Sequence, residues 1–185
     1  MMSTPRSQFT VRELRSEDEL AECLTIDRSY LSDRVWQMDV REDRGEIAVR
    51  FRPVRLPRMV AVEYPRPAES LLHLWRQRDC FLVALAEGII LGYVNVRIRP
   101  GEQGAWLEDL VVNAPFRRHK IGSALLEQAG EHAHDRGLRR LTLAVQTKNH
   151  PAISFAQANG LVFCGYNDHY FPNQDIAIFF TKNLR

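Results

Sequence analysis

A glutamate and an aspartate, Glu108 and Asp109, stand side by side in the stretch Trp106 to Leu126, WLEDLVVNAPFRRHKIGSALL, shortly before the basic residues Arg117, Arg118 and Lys120. A carboxylate can take a proton from a reacting group, directly or through a water. Cations gathered at the start of a helix can hold phosphate, because the first helical N–H groups are unpaired and carry roughly half a positive charge. The residues between these two features give the geometry. Leu107, Leu110, Val111 and Val112 form a strand-like apolar run, and Asn113, Ala114 and Pro115 end it, since proline cannot donate to a sheet ladder. From Ile121 the apolar positions become Ile121, Leu125, Ala129 and Ala133, the spacing of one helical face. Arg117 to Gly122 therefore reads as a strand-to-helix turn, with Gly122 letting a ligand approach the backbone, and the expected ligand is a phosphate-bearing cofactor.

The elements that position this turn follow from patterning. Phe9 to Leu14 reads as a short strand, and Ser16 with Glu19 forms a capping box for a helix through Leu20, Cys23 and Leu24. Strands are expected near Val35 to Val40 and Glu46 to Val54, then a connector punctuated by Pro57, Pro65 and Pro67. Arg41 to Arg66 holds seven arginines against four acids, and within it Ile47, Val49 and Phe51 alternate with Ala48, Arg50 and Arg52, a half-buried strand with a polar outer face. Cys80 to Ala86 and Ile89 to Ile98 flank the hairpin signal Glu87-Gly88. After the strand from Ala105 comes a helix from Ile121 to about Arg136, stopped by Gly137. Leu141 to Val145 is a strand, Asn149 caps a helix that Gly160 ends, and strands at Val162 to Tyr166 and Ile176 to Thr181 close the sheet. The fold class is α/β (α+β), with a mixed, mainly antiparallel sheet.

Composition bounds the rest. A chain of 185 residues, 45% hydrophobic, is long enough for one domain, 1–185, with a sizeable core. No apolar run approaches a membrane span and the N-terminus lacks a signal-peptide core, which argues for a cytoplasmic protein without a membrane partner. Cys23, Cys80 and Cys164 are odd in number and far apart, as expected of thiols in a reducing compartment. The net charge of +2 gives no reason to expect a nucleic-acid partner. His132 and His134 are two apart on a helix, not the i, i+4 spacing of a metal pair, and no metal is expected.

With the turn placed, Arg117 to Gly122 followed by SALLE resembles the acetyl-CoA motif of the GNAT superfamily of N-acetyltransferases, written Q/R-x-x-G-x-G/A, with Lys120 where the first glycine is expected. Backbone N–H groups remain at Lys120, so binding of the pyrophosphate is expected to survive provided that the position needs no positive φ. The stretch Leu141 to Tyr166, LTLAVQTKNHPAISFAQANGLVFCGY, is similar to the superfamily's second segment: Asn149, Ala152, Phe155 and Gly160 match, while Ala156 replaces a tyrosine often assigned as general acid and Leu161 replaces a phenylalanine. The resemblance implies a GNAT fold, with a central sheet of about seven strands flanked by helices and a splayed pair of strands at the cofactor. It implies acetyl-CoA as cofactor, held by Leu110, Val111, Val112, Arg117, Arg118, His119, Lys120, Ile121, Gly122, Ser123, Asn149 and Phe155. An N–H near Val111 would stabilise the developing oxyanion. Superfamily members are often dimers, so a homodimer is a candidate assembly.

Acetyl transfer to a lysine-like amine needs a base, because with a pKa near about 10.4 only one amine in about 2,500 is neutral at pH 7, a penalty of about 4.6 kcal/mol. Glu108 and Asp109 are the candidates, and on a regular strand only one of them faces the substrate unless a bulge intervenes. The departing thiolate needs less protonation than an alkoxide, and substitutes for the missing tyrosine are Tyr93, Tyr166, His169 and Tyr170, with His169 in the polar loop Asn167 to Asn173. The stretches SYLSDRVWQM near Tyr30, LEDL at Leu107 to Leu110, Gln146, and GYNDHYFPNQDIAIFF at Gly165 to Phe180 resemble streptothricin acetyltransferases, which acetylate an amine of a cationic antibiotic, although Ala144 and Ala156 depart from that group. A small-molecule amine is therefore the expected partner. Two other readings stay open: acetylation of a protein N-terminus of the ribosomal-protein alanine type, and a non-catalytic module that binds acyl-CoA.

Overall fold

The computed structural model describes residues 9–77, 79–98 and 103–185. In chain order these form β1 (Thr10–Glu13), α1 (Glu17–Thr25), β2 (Tyr30–Asp43), β3 (Glu46–Val62), α2 (Ser70–Gln77), β4 (Cys80–Ala86), β5 (Ile89–Ile98), β6 (Gly104–Val112), α3 (Ile121–Asp135), β7 (Arg140–Gln146), α4 (His150–Ala158), β8 (Val162–Asn167) and β9 (Ala177–Asn183). Seven strands make one sheet in the order β1-β4-β5-β6-β7-β9-β8, with β1/β4, β4/β5, β5/β6 and β8/β9 antiparallel and β6/β7 parallel. The fold is thus α+β with a mixed, mainly antiparallel sheet, and α3 supplies the crossover that a parallel pair requires.

Two compact units divide the chain. The first takes the residues up to Arg28, Pro67–Leu143 and Lys182–Arg185; the second takes Ser29–Arg66 and Ala144–Thr181.

Apart from the segment Ser70–Gln77, the first unit is built as its sequence predicts. Ser16 caps α1 by accepting from the Glu19 N–H at 3.3 Å, and Glu19 in turn accepts from the Arg15 N–H at 2.8 Å and from the Arg12 guanidinium. Glu87 (φ 51°) and Gly88 (φ 82°) make the tight turn between β4 and β5. α3 buries Ile121, Leu125, Leu126, Ala129 and Ala133 along one stripe against the sheet. Full burial of a leucine such as Leu125 is worth about 1.5–3 kcal/mol. The helix stops at Gly137, whose φ of 79° suits a residue without a Cβ.

Two expectations are corrected here. The segment after β3 is not a mere connector: Ser70 to Gln77 forms α2, opened by a turn in which the Ser70 hydroxyl donates to the Pro67 carbonyl at 2.7 Å, with Leu71 fully buried. In the second unit, β2 and β3 are far longer than predicted and pair with each other as a separate two-stranded sheet. Pro53 and Pro57 lie inside β3 because a strand with one neighbour has a free edge where a missing N–H costs nothing, and Pro57 falls in the register shift between Arg34↔Arg55 and Ser32↔Val60. Ile47 is 68% exposed rather than half buried. The remaining core of this unit gathers Ile153, Ala156, Ile178 and Phe180 from α4 and β9.

Candidate active site

In the first unit, β6 carries the carboxylates. Its pairing with β5 runs Gly92↔Val112, Tyr93↔Val111, Val94↔Leu110 and Asn95↔Asp109, then jumps to Val96↔Leu107. Glu108 is the residue left over, the extra member of a one-residue bulge. Burial still alternates along β6, so the Glu-Asp pair faces two ways. Asp109 is fully buried and accepts a hydrogen bond from the Asn95 amide at 3.2 Å, whereas Glu108 is partly exposed. On the other side, the parallel ladder with β7 runs from Gly104↔Arg140 to Leu107↔Leu143 and ends there, while β6 continues through Glu108 to Val112 beside β5. Gly92 permits this close run: a Cβ there would lie 2.5 Å from the Val111 carbonyl oxygen.

The strand ends as Asn113 donates its N–H to the Leu91 carbonyl at 2.9 Å, and Ala114–Phe116 make one 3-10 turn. Arg117 does not point its charge at open space. Its Nε donates to the Val112 carbonyl at 2.9 Å and its Nη2 to the Asp27 carbonyl at 3.4 Å, so it closes the turn. Arg118, His119 and Lys120 are exposed, and the His119 ring lies 2.9 Å from the Arg117 carbonyl. Arg118 (φ 70°) and Lys120 (φ 65°) both adopt the left-handed conformation. The condition set on Lys120 therefore fails: the position does take a positive φ, and a lysine bears the strain that glycine would avoid. α3 then begins at Ile121 with no acidic residue in its first turn and no side chain capping it. Gly122 and Ser123 in that turn are half-buried. Uncapped N–H groups, two exposed cations and no competing carboxylate fit a phosphate group.

The second unit holds the other predicted residues. Asn149 caps α4, its side-chain oxygen accepting from the Ala152 N–H at 3.0 Å, and Phe155 is half-buried on the same helix. Ala156 is fully buried in the core of this unit. Tyr166 on β8 packs edge-on against Phe51, with centroids 5.7 Å apart. His169 is exposed in the turn after β8, with φ 54° and its Nδ1 3.3 Å from Asp168. Tyr170 packs its ring against Phe171 and Phe179. A buried polar chain runs from the Tyr30 hydroxyl to Gln146 (2.9 Å) and from the Gln146 amide to Asp175 (2.7 Å), which also meets Lys148 Nζ at 2.6 Å. Burial, and behind it the charge of Asp175, raises the pKa of Tyr30.

Tyr93, offered by sequence as an acid, is instead fully enclosed in the core of the first unit, stacked on Phe81 at 5.6 Å. Burial first, and then the Asp109 charge, raise its pKa, so it holds its proton. No motif marks Asn95, although a carboxamide inside the apolar run of β5 is the kind of signal that marks a buried polar partner.

With this geometry in view, comparison with known proteins gives consistent relatives. The acetyltransferase (GNAT) family matches residues 46–161. The streptothricin acetyltransferase of Streptomyces lavendulae is 29% identical over 171 residues, 89% of this chain and 87% of that protein. Nourseothricin acetyltransferase superposes with a TM-score of 0.81 at 22% identity, covering 96% of this chain and 99% of that one. A putative streptothricin acetyltransferase from Bacillus anthracis strain Ames, crystallised with acetyl coenzyme A, superposes with a TM-score of 0.76 at 20% identity over 96% and 99%. Each of these two likenesses speaks to the fold.

Proposed function

The chain belongs to the acetyltransferase (GNAT) family, and from that premise we propose that it transfers an acetyl group from acetyl-CoA to a primary amine of a cationic small molecule of the streptothricin kind. The observation that carries this reading is the join of β6 to α3, where a partly exposed Glu108 on a bulged strand precedes an uncapped helix start flanked by Arg118 and Lys120. The acceptor class is supported by the 29% identity to a streptothricin acetyltransferase over 89% of the chain.

When bound, acetyl-CoA supplies an acetyl group activated as a thioester. The groups that would hold it in the first unit are the main chain of Leu110, Val111 and Val112, the exposed side chains of Arg118, His119 and Lys120, and the N–H groups of Ile121, Gly122 and Ser123. Arg117 shapes the turn, its guanidinium donating to two carbonyls. Glu108 removes the proton from the acceptor ammonium, directly or through one water, and so offsets the penalty of about 4.6 kcal/mol that a lysine-like amine carries at pH 7. Asp109 is too deeply buried to do so. Its carboxylate, like Arg117, belongs to the scaffold.

The test is release of CoA thiol from acetyl-CoA with a panel of amines: streptothricin, polyamines, free lysine and short N-terminal peptides. Release with streptothricin that collapses in Glu108→Gln is expected. Release with the N-terminal peptides alone would move the protein to the peptide-acetylating class, and acetyl-CoA binding without release across the panel would overturn catalysis.

A further inference from the structure

We propose that Asn95 is a positioning residue for the proton transfer assigned to Glu108, acting by fixing the register of β6 against β5. The inference rests on the reading of Glu108 given above. Asn95 and Asp109 are direct cross-strand partners whose side chains share one face, and both are shut away from solvent at 2% and 0% exposure. The Asn95 amide donates to Asp109 Oδ2 at 3.2 Å, and the next pair, Val96↔Leu107, skips Glu108.

A bulge has no intrinsic reason to stay at one residue. Were it to slip by one position toward Val112, Asp109 would become the extra residue and Glu108 would enter the buried slot opposite Asn95. The carboxylate that must meet the amine would then be inside the sheet. What opposes the slip is the cost of leaving the buried Asn95 donor without the short side-chain oxygen that meets it. Asp109 supplies that oxygen.

The surroundings support the assignment. Tyr93, two residues before Asn95 on the same face, is fully buried, and the charges of Asp109, Arg28 and, more weakly, Cys23 bear on its hydroxyl. Tyr93 also lies directly across from the fully buried Val83 of β4. Of the two strand residues in the pair, neither has surface with which to touch a substrate, so Asn95 acts through the residue beside its partner. Specificity of register is the attested use of buried polar pairs in other folds.

Two single variants of the full chain test this, read by CoA release at saturating acceptor across pH 6 to 10. Asn95→Leu is expected to lower kcat by about tenfold or more while leaving the acetyl-CoA KM within about twofold, and to flatten the acid limb of the wild-type pH profile. Asp109→Asn, which keeps an oxygen for the Asn95 amide, is expected to retain kcat within about threefold. Should Asn95→Leu fail to fold, the double variant Asn95→Leu with Asp109→Leu replaces the pair by apolar groups and is expected to show the same loss of kcat. Wild-type kcat and pH profile in Asn95→Leu, or in the double variant, would overturn the proposal, as would a loss in Asp109→Asn equal to that of Glu108→Gln. An active Glu108→Gln would instead sink the reading of Glu108 itself, whatever Asn95→Leu shows.

Discussion

The Arg117 guanidinium reaches back to the Val112 carbonyl at 2.9 Å, tying the first residue of the basic turn to the last residue of β6. By family motif this arginine opens the cofactor loop, yet its hydrogen bonds go to the protein itself. The exposed cations that remain for an anion are Arg118 and Lys120, and one of them sits where the motif has glycine.

That substitution gives a prediction in two variants. Lys120 holds φ 65°, a conformation that costs an L-residue about 1–2 kcal/mol and glycine almost nothing. Lys120→Gly should therefore raise the thermal midpoint, while Lys120→Ala should not. Both should weaken acetyl-CoA binding to a similar degree and reduce its salt dependence, because both remove the same charge. Calorimetric titration at two salt concentrations and a melting curve separate the two effects.

Glu108→Gln should lower kcat by about 10²–10⁴ at pH 7 and leave acetyl-CoA affinity unchanged. The deficit should shrink as pH rises toward 10, since more of the amine is then already neutral. A deficit constant over that range would show that Glu108 does something other than accept the proton.

Cys23 and Cys80 are buried and Cys164 is exposed. Burial pushes each of the first two thiols up to about 12. A thiol reagent at pH 8 should therefore modify one cysteine quickly in the native protein and two more only on unfolding. The linkage has a definite sign: in the unfolded chain these thiols ionise near about 8.5, so between that pH and about 12 the folded state binds more protons and stability falls as pH rises. Cys23→Ala with Cys80→Ala should lose that part of the alkaline decline, measured by urea unfolding between pH 7 and 10.

Restoring the tyrosine at position 156 should not restore a general acid. Ala156 is fully buried, so Ala156→Tyr must push its neighbours apart, at a cost of about 1–3 kcal/mol. A lower melting temperature with no gain in kcat is expected. Equal stability with faster turnover would mean that the site opens to admit the ring.

Much of this was legible in the chain. The strand ending at Asn113, the helix from Ile121, the caps at Ser16 and Asn149 and the stops at Gly137 and Gly160 rest on local chemistry, and local chemistry decided them. The hairpin of β2 and β3 is hard to read because Pro53 and Pro57 look like breakers until one knows that β3 pairs with β2 alone. α2 was hidden by Pro65 and Pro67, although Leu71, Leu74 and Trp75 have helical spacing. The bulge at Glu108 could not be read, because register is a property of two strands at once, and nothing in LEDL alone says which residue its partner will skip.

The chain enters its first unit, leaves it after Arg28, returns at Pro67, leaves again after Leu143 and comes back at Lys182. The last return is sealed by the Leu184 N–H, which donates to the Arg139 carbonyl at 2.9 Å, and by the Leu184 side chain against Gly130. During synthesis, then, the unit that carries Glu108 and the basic turn stays unfinished while the second unit is being made. At about 5–20 residues per second, the stretch from Ala144 to Leu184 leaves it waiting for seconds, so a nascent chain stalled in that window is the form most in need of a chaperone.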